Sequence, residues 1–107
     1  FLMPQFSVYR NPSPASCDKI PFLLDVQSDL VSELATRVVV PLSPLDGSGA
    51  VPMRTLSPVL EVAGAAHVML TPQLAGIPRR QLGEGVADLS GQRAEIMAAL
   101  DFLFTGV

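Results

Sequence analysis

The chain carries one histidine and one cysteine, and neither has company that would make it reactive. His67 lies in the apolar run Ala65-Ala66-His67-Val68-Met69, with no second imidazole to share a metal or a proton relay. Cys17 stands beside Asp18 and has no basic neighbour nearer than Lys19 to stabilise a thiolate. Zinc sites of the usual kind need several Cys or His ligands at short spacing, so none is expected. The 10 acidic residues are spread along the chain, and no pair is spaced for acid–base work. Gly47-Ser48-Gly49 and Gly83-Glu84-Gly85 are too short for phosphate loops and neither leads into a lysine-bearing helix start, so both read as turns. No nucleophile-elbow pattern occurs. The expectation is therefore a protein with no catalytic residue, no metal and no cofactor. His67 is read as a packing residue, Cys17 as incidental and Arg79-Arg80 as part of a solvated face.

What must be positioned is instead apolar surface. Of 107 residues, 49% are hydrophobic and 16% charged, against about 25% charged in an ordinary domain. One domain, 3–107, fits this length, with Phe1-Leu2 ahead of Met3 taken as an extraneous remnant. A monomer of this size buries only about two-thirds of its unfolded surface, so a homodimer is predicted. Net charge is −3 and the basic residues are scattered, which argues against direct nucleic-acid binding. The longest largely apolar stretch, Val59 to Leu70, holds Glu61 and His67 and is well short of the roughly 20 residues of a spanning helix. No membrane segment, secretion signal or disulfide framework is expected, and the location is expected to be cytoplasmic.

The segment from Gly91 to the end reads as a helix with almost no polar face. Ile96, Leu100, Leu103 and Val107 form one stripe, widened by Met97, Ala99, Phe102 and Phe104. A helix apolar nearly all round is buried on more than one side, which points to a protein partner. Ser90 is the expected N-cap. Upstream, strands are expected over Gln5–Tyr9, Ile20–Gln27 and Thr36–Leu42, the last stopped by Pro41 and Pro44. Pro58–Val62 and Ala66–Leu70 flank Ala63-Gly64-Ala65 as a hairpin, and Gln73–Ile77 is a further strand. Asn11–Ser16 and Asp46–Ala50 read as loops, and Gly83-Glu84-Gly85 as a break before the helix. Short strands with Pro/Gly turns and one terminal helix predict a mainly β fold, a small antiparallel barrel or sandwich with an appended helix.

Leu24-Asp25-Val26-Gln27-Ser28-Asp29-Leu30, together with Gln5-Phe6-Ser7-Val8-Tyr9, resembles the CcdB family of plasmid-maintenance toxins. Val39-Val40-Pro41-Leu42, Ser57-Pro58-Val59, Met69-Leu70-Thr71 and Glu84-Gly85-Val86-Ala87-Asp88-Leu89-Ser90 follow in the family's order, and Phe104-Thr105-Gly106-Val107 ends the chain in the family's manner. The resemblance implies an SH3-like antiparallel barrel with a small extra sheet and a long C-terminal helix. It also implies a homodimer that inhibits DNA gyrase by binding its A subunit and is neutralised by a CcdA-like antitoxin. Gyrase contacts carried over by position are Leu30, Val31, Asp101, Phe104, Thr105, Gly106 and Val107. Thr105 stands where the family pattern has tryptophan, and Asp101 where it has asparagine. A tryptophan is a common interface hot spot, whose truncation can cost about 2 kcal/mol or more. An unpaired charge buried at an interface is likewise costly. Two readings follow: a gyrase-poisoning toxin of a type II toxin–antitoxin system, or a homologue with weakened or lost poisoning that acts as an antitoxin-binding module. The loop from Arg10 to Lys19 is the candidate antitoxin contact.

Overall fold

A computed structural model describes residues 4–47 and 49–106. Phe1–Met3, and with them the expected remnant Phe1-Leu2, lie outside the described residues, as do Ser48 and Val107. Seven strands build one antiparallel sheet: β1 (Ser7–Arg10), β2 (Phe22–Asp25), β3 (Thr36–Pro44), β4 (Val59–Val62), β5 (Ala65–Met69), β6 (Ala75–Pro78) and β7 (Gly85–Asp88). Their order is β4-β5-β3-β2-β1-β7, with β6 also beside β3. The sheet curls into a half-barrel around α1 (Arg93–Thr105), the mainly β architecture with a C-terminal helix that the chain's pattern predicts. Leu24, Val40, Leu42, Leu60 and Met69 from the sheet meet Ile96, Ala99 and Leu100 of the helix in a single core.

β3 is the spine of the sheet, and it runs through both prolines that were expected to stop it. Alternation explains the tolerance. Val38 bonds toward β2, so Val39 and Pro41 turn their backbone toward the other neighbour. On that side β5 leaves at Met69 and β6 arrives at Ala75. The missing N–H of Pro41 therefore falls at the seam, while its carbonyl still accepts from Leu70 N–H at 3.0 Å. Pro44 lies beyond Leu42, the residue that faces Phe22 at the start of β2, so no ladder bond is lost there either.

The expected hairpin is present, one residue earlier in its second strand. Val62 faces Ala65 across a two-residue turn, with Ala63 at φ 52° and Gly64 at φ 83°. Both central residues at positive φ are what the right-handed twist of a tight hairpin requires. The first two strands are shorter than predicted. Phe6 sits at φ 70°, which turns its ring into the core ahead of β1 and spoils the simple alternation of Gln5–Tyr9.

β7 was not expected: the break was placed at Gly83-Glu84-Gly85, and the strand begins at the last of these residues. Its bonding begins even before Gly85: Arg10 N–H donates to Glu84 carbonyl at 2.8 Å and Gly83 N–H to Arg10 carbonyl at 3.0 Å. Gly83 is required by close approach, since a Cβ there would lie 2.5 Å from the Arg10 carbonyl oxygen. The helix also begins later than predicted. Ser90 is not its cap; Asp88 Oδ1 accepts from Ser90 N–H at 2.8 Å, and Ser90–Gln92 forms a 3-10 turn before α1. Gln92 spends its side chain on the sheet instead. Its amide accepts from Glu61 N–H at 3.0 Å and donates to Glu61 carbonyl at 2.9 Å, pairing with β4 as a strand residue would.

Candidate functional site

Two exposed apolar groups hold the predicted contact residues. The first is the 3-10 turn Asp29–Val31, which has no buried residue of its own. Leu30 is 94% exposed and Val31 45%. Large side chains so placed gain nothing from the fold, yet the backbone beneath them is tied at every step. Ser28 Oγ accepts from Leu30 N–H at 3.1 Å, and Asp29 Oδ1 accepts from Gln5 N–H at 2.8 Å. Gln27 Nε2 donates to Val31 carbonyl at 2.8 Å, while Gln27 Oε1 accepts from Val38 N–H at 2.9 Å. Arg37 Nη1 reaches Ser32 carbonyl at 3.3 Å.

Below the turn, on the sheet face turned away from the main core, lies an ion pair with both side chains fully buried. Arg37 donates through Nε at 2.9 Å and Nη2 at 2.6 Å to Asp25 Oδ2, and Asp25 Oδ1 accepts from Gln27 N–H at 3.0 Å. Burial pushes the Asp25 carboxyl above its ordinary range, against the pull of the Arg37 guanidinium and the Gln27 amide.

The second group is the end of α1. Phe104 is 69% exposed, and Asp101, Thr105 and Gly106 are exposed around it. Gly106 takes a left-handed conformation at φ 75° and its N–H closes the helix on Phe102 carbonyl at 2.9 Å. Thr105 Oγ donates to Asp101 carbonyl at 2.7 Å, so its hydroxyl is used within the helix and the methyl remains. Val107, the last predicted contact, lies outside the described residues. Within each group the predicted residues are brought together. Between the groups, the hydrogen bonds from the turn pass through Gln5 and end at Arg93, about 16 Å along the helix axis from Phe104.

His67 is buried in β5, with Nδ1 3.0 Å from Ala65 carbonyl and its ring edge-on to Phe22 at 5.2 Å. That is a packed histidine. Among the described residues no group of three or more His, Cys, Asp or Glu side chains is placed to hold a metal ion. No helix among them is long and apolar enough to cross a membrane. The Arg10–Lys19 loop is pinned by Asn11, whose Nδ2 donates to Ser16 Oγ at 3.0 Å and Ile20 carbonyl at 2.8 Å. It walls an open apolar hollow of about 430 Å³ floored by Leu23, Val39 and Ile77.

The residues missed by sequence reasoning are Asp25, Gln27 and Arg37, the support of the exposed turn. Their signal was present: one acid in the apolar run Phe22-Leu23-Leu24-Asp25-Val26 and one base in Thr36-Arg37-Val38-Val39-Val40. Two opposite charges, each alone in a buried strand, are expected to find one another. Compared with known families, residues 5–106 match the model described as CcdB protein. With nearly its whole length matched and a curled antiparallel sheet closed by a C-terminal helix, the chain belongs to the CcdB family.

Proposed function

We propose that the chain is the toxin of a type II toxin–antitoxin system, a homodimer that binds the A subunit of DNA gyrase, traps the enzyme on cleaved DNA and catalyses nothing itself. The observation that carries this is Leu30, presented almost wholly to solvent at a position that the resemblance to CcdB toxins carries over as a gyrase contact. Leu30 and Val31 supply one apolar contact, and Phe104, Thr105, Gly106 and Val107 the other, with Asp101 beside them. Dimerisation doubles both. A CcdA-like antitoxin neutralises the toxin, and the Arg10–Lys19 loop with the apolar hollow beside it is its proposed contact. The protein acts in the cytoplasm, where gyrase is.

The test is purified protein with gyrase from its own host, scored for trapped DNA cleavage and lost supercoiling. Both are expected. A folded dimer that traps nothing sinks the poisoning reading.

A second reading is favoured by Thr105, whose hydroxyl is occupied by the Asp101 carbonyl. A methyl group cannot replace the area of the family's tryptophan. On this reading poisoning is weakened or lost and antitoxin binding remains. Thr105→Trp should then raise toxicity on induction, since such an anchor contributes about 2 kcal/mol or more. Unchanged harmlessness of the induced variant would count against it.

A further inference from the structure

We propose that Gln27 is the positioning residue of the Leu30–Val31 contact, setting partner affinity without touching the partner. The inference rests on the reading that Leu30 and Val31 meet a protein target, and it assigns the control of that contact to a side chain that is itself buried.

The geometry is that of a two-ended clamp. Gln27 Oε1 takes Val38 N–H at 2.9 Å from the spine of the sheet, and Nε2 gives its proton to Val31 carbonyl at 2.8 Å. The amide thus ties the exposed turn to the central strand of the sheet. The base of the clamp is itself fixed, because Gln27 N–H is held by Asp25 Oδ1, and Asp25 by Arg37. Arg37 then returns to the turn at Ser32 carbonyl. The turn has no buried side chain to anchor it. Beside these ties stand the backbone contacts from Val31, Ser32 and Leu34 N–H, the Ser28 cap, the Asp29–Gln5 bond and a long contact of 3.5 Å from Arg79 Nη1 to Ser32 carbonyl. A short turn with no hydrophobic anchor loses its shape when its buried polar tie is lost. The exposed leucine would then have to be ordered on binding, and that cost appears as weaker affinity.

Gln27→Glu is the discriminating variant, because a carboxyl has the same shape as the amide. Ionised, it still accepts from Val38 N–H but cannot donate to Val31 carbonyl. Protonated, it can do both. The first readout is amide exchange protection of Val31, Ser32 and Leu34, corrected for intrinsic exchange. Protection is expected to fall about tenfold at neutral pH, the weight of one hydrogen bond, and to recover in acid as the glutamate takes up its proton. β2 and β3 should keep their protection. Equal protection of the turn in native protein and in the Gln27→Met variant, which has no proton to take up, would overturn the proposal, whatever the partner does. Gln27→Met, which removes both ends of the clamp and adds no charge, provides the same reading if the glutamate variant does not fold.

The second readout is affinity for the purified A subunit of the host's gyrase, in a cycle with Leu30→Ala. About tenfold weaker binding is expected from folded Gln27→Glu, and little further loss when Leu30 is already alanine. A loss of the same size in both backgrounds would overturn the positioning role. If Leu30→Ala binds like the native protein, the contact reading itself fails. If Leu30→Ala weakens binding while Gln27→Glu does not, the contact stands and the positioning role fails.

Discussion

At the scale of single residues, the buried Asp25–Arg37 pair sets the sharpest expectations. Removing one member leaves the other charged and unpaired in the interior, so Arg37→Leu should cost about 3–5 kcal/mol. Replacing both by leucine should cost clearly less, because the uncompensated charge is gone; chemical denaturation of the two variants measures the difference. The pH dependence follows from the raised carboxyl. The folded chain binds this proton at a higher pH than the unfolded chain does, so the contribution of Asp25 is fully present below its ordinary value of 3.8 and is lost as pH rises through the folded pKa. Asp25 therefore resists acid unfolding. The stability of native protein relative to Asp25→Asn should grow as pH is lowered from neutrality, and a gap that shrinks instead would contradict the direction. The pair left its signal in two lone opposite charges in apolar strands, but the place of Gln27 beneath the turn was not legible, because sequence periodicity identifies which strands are apolar and not which loop covers their second face.

The elements differ in how far local chemistry decides them. The β4–β5 hairpin was legible from Ala63-Gly64, since only a tight turn explains a small residue and a glycine between two apolar strands. Ala63 is nonetheless poorly suited to its φ of 52°. Ala63→Asn should raise stability by about 0.5–1 kcal/mol, because asparagine enters the left-handed region more easily; a thermal melt with no gain would show that the alanine is not strained. Gly83 is the opposite case. Any side chain there meets the Arg10 carbonyl, so Gly83→Ala should destabilise by about 1–3 kcal/mol and loosen the β1–β7 edge first, visible as faster exchange of Arg10 N–H. β7 escaped notice because Gly83-Glu84-Gly85 looks like punctuation until Arg10 is placed opposite. The helix was placed to within a few residues, but its start was not, because Ser90–Gln92 forms a 3-10 turn and α1 begins at Arg93 without a side-chain cap.

For the whole molecule, the excess of apolar residues already pointed to a partner, and the fold leaves Leu30, Leu34, Val51, Met53 and Phe104 all more than half exposed. Sedimentation or light scattering at micromolar concentration should give twice the chain mass; a monomer would leave that surface without its predicted cover. The architecture was legible because strand spacing and a terminal apolar helix leave few alternatives. The proposed contact residues came only from family likeness, since an exposed leucine looks the same in sequence as a buried one. A small sheet with open sides has one further hazard, recruitment of strands from neighbouring molecules. At Glu61 of β4 the donor and acceptor that such a strand would use are already taken by the amide of Gln92, directly ahead of the helix. Gln92 thus guards the rim of the sheet at β4, and losing its amide would open that edge to strands of neighbouring molecules.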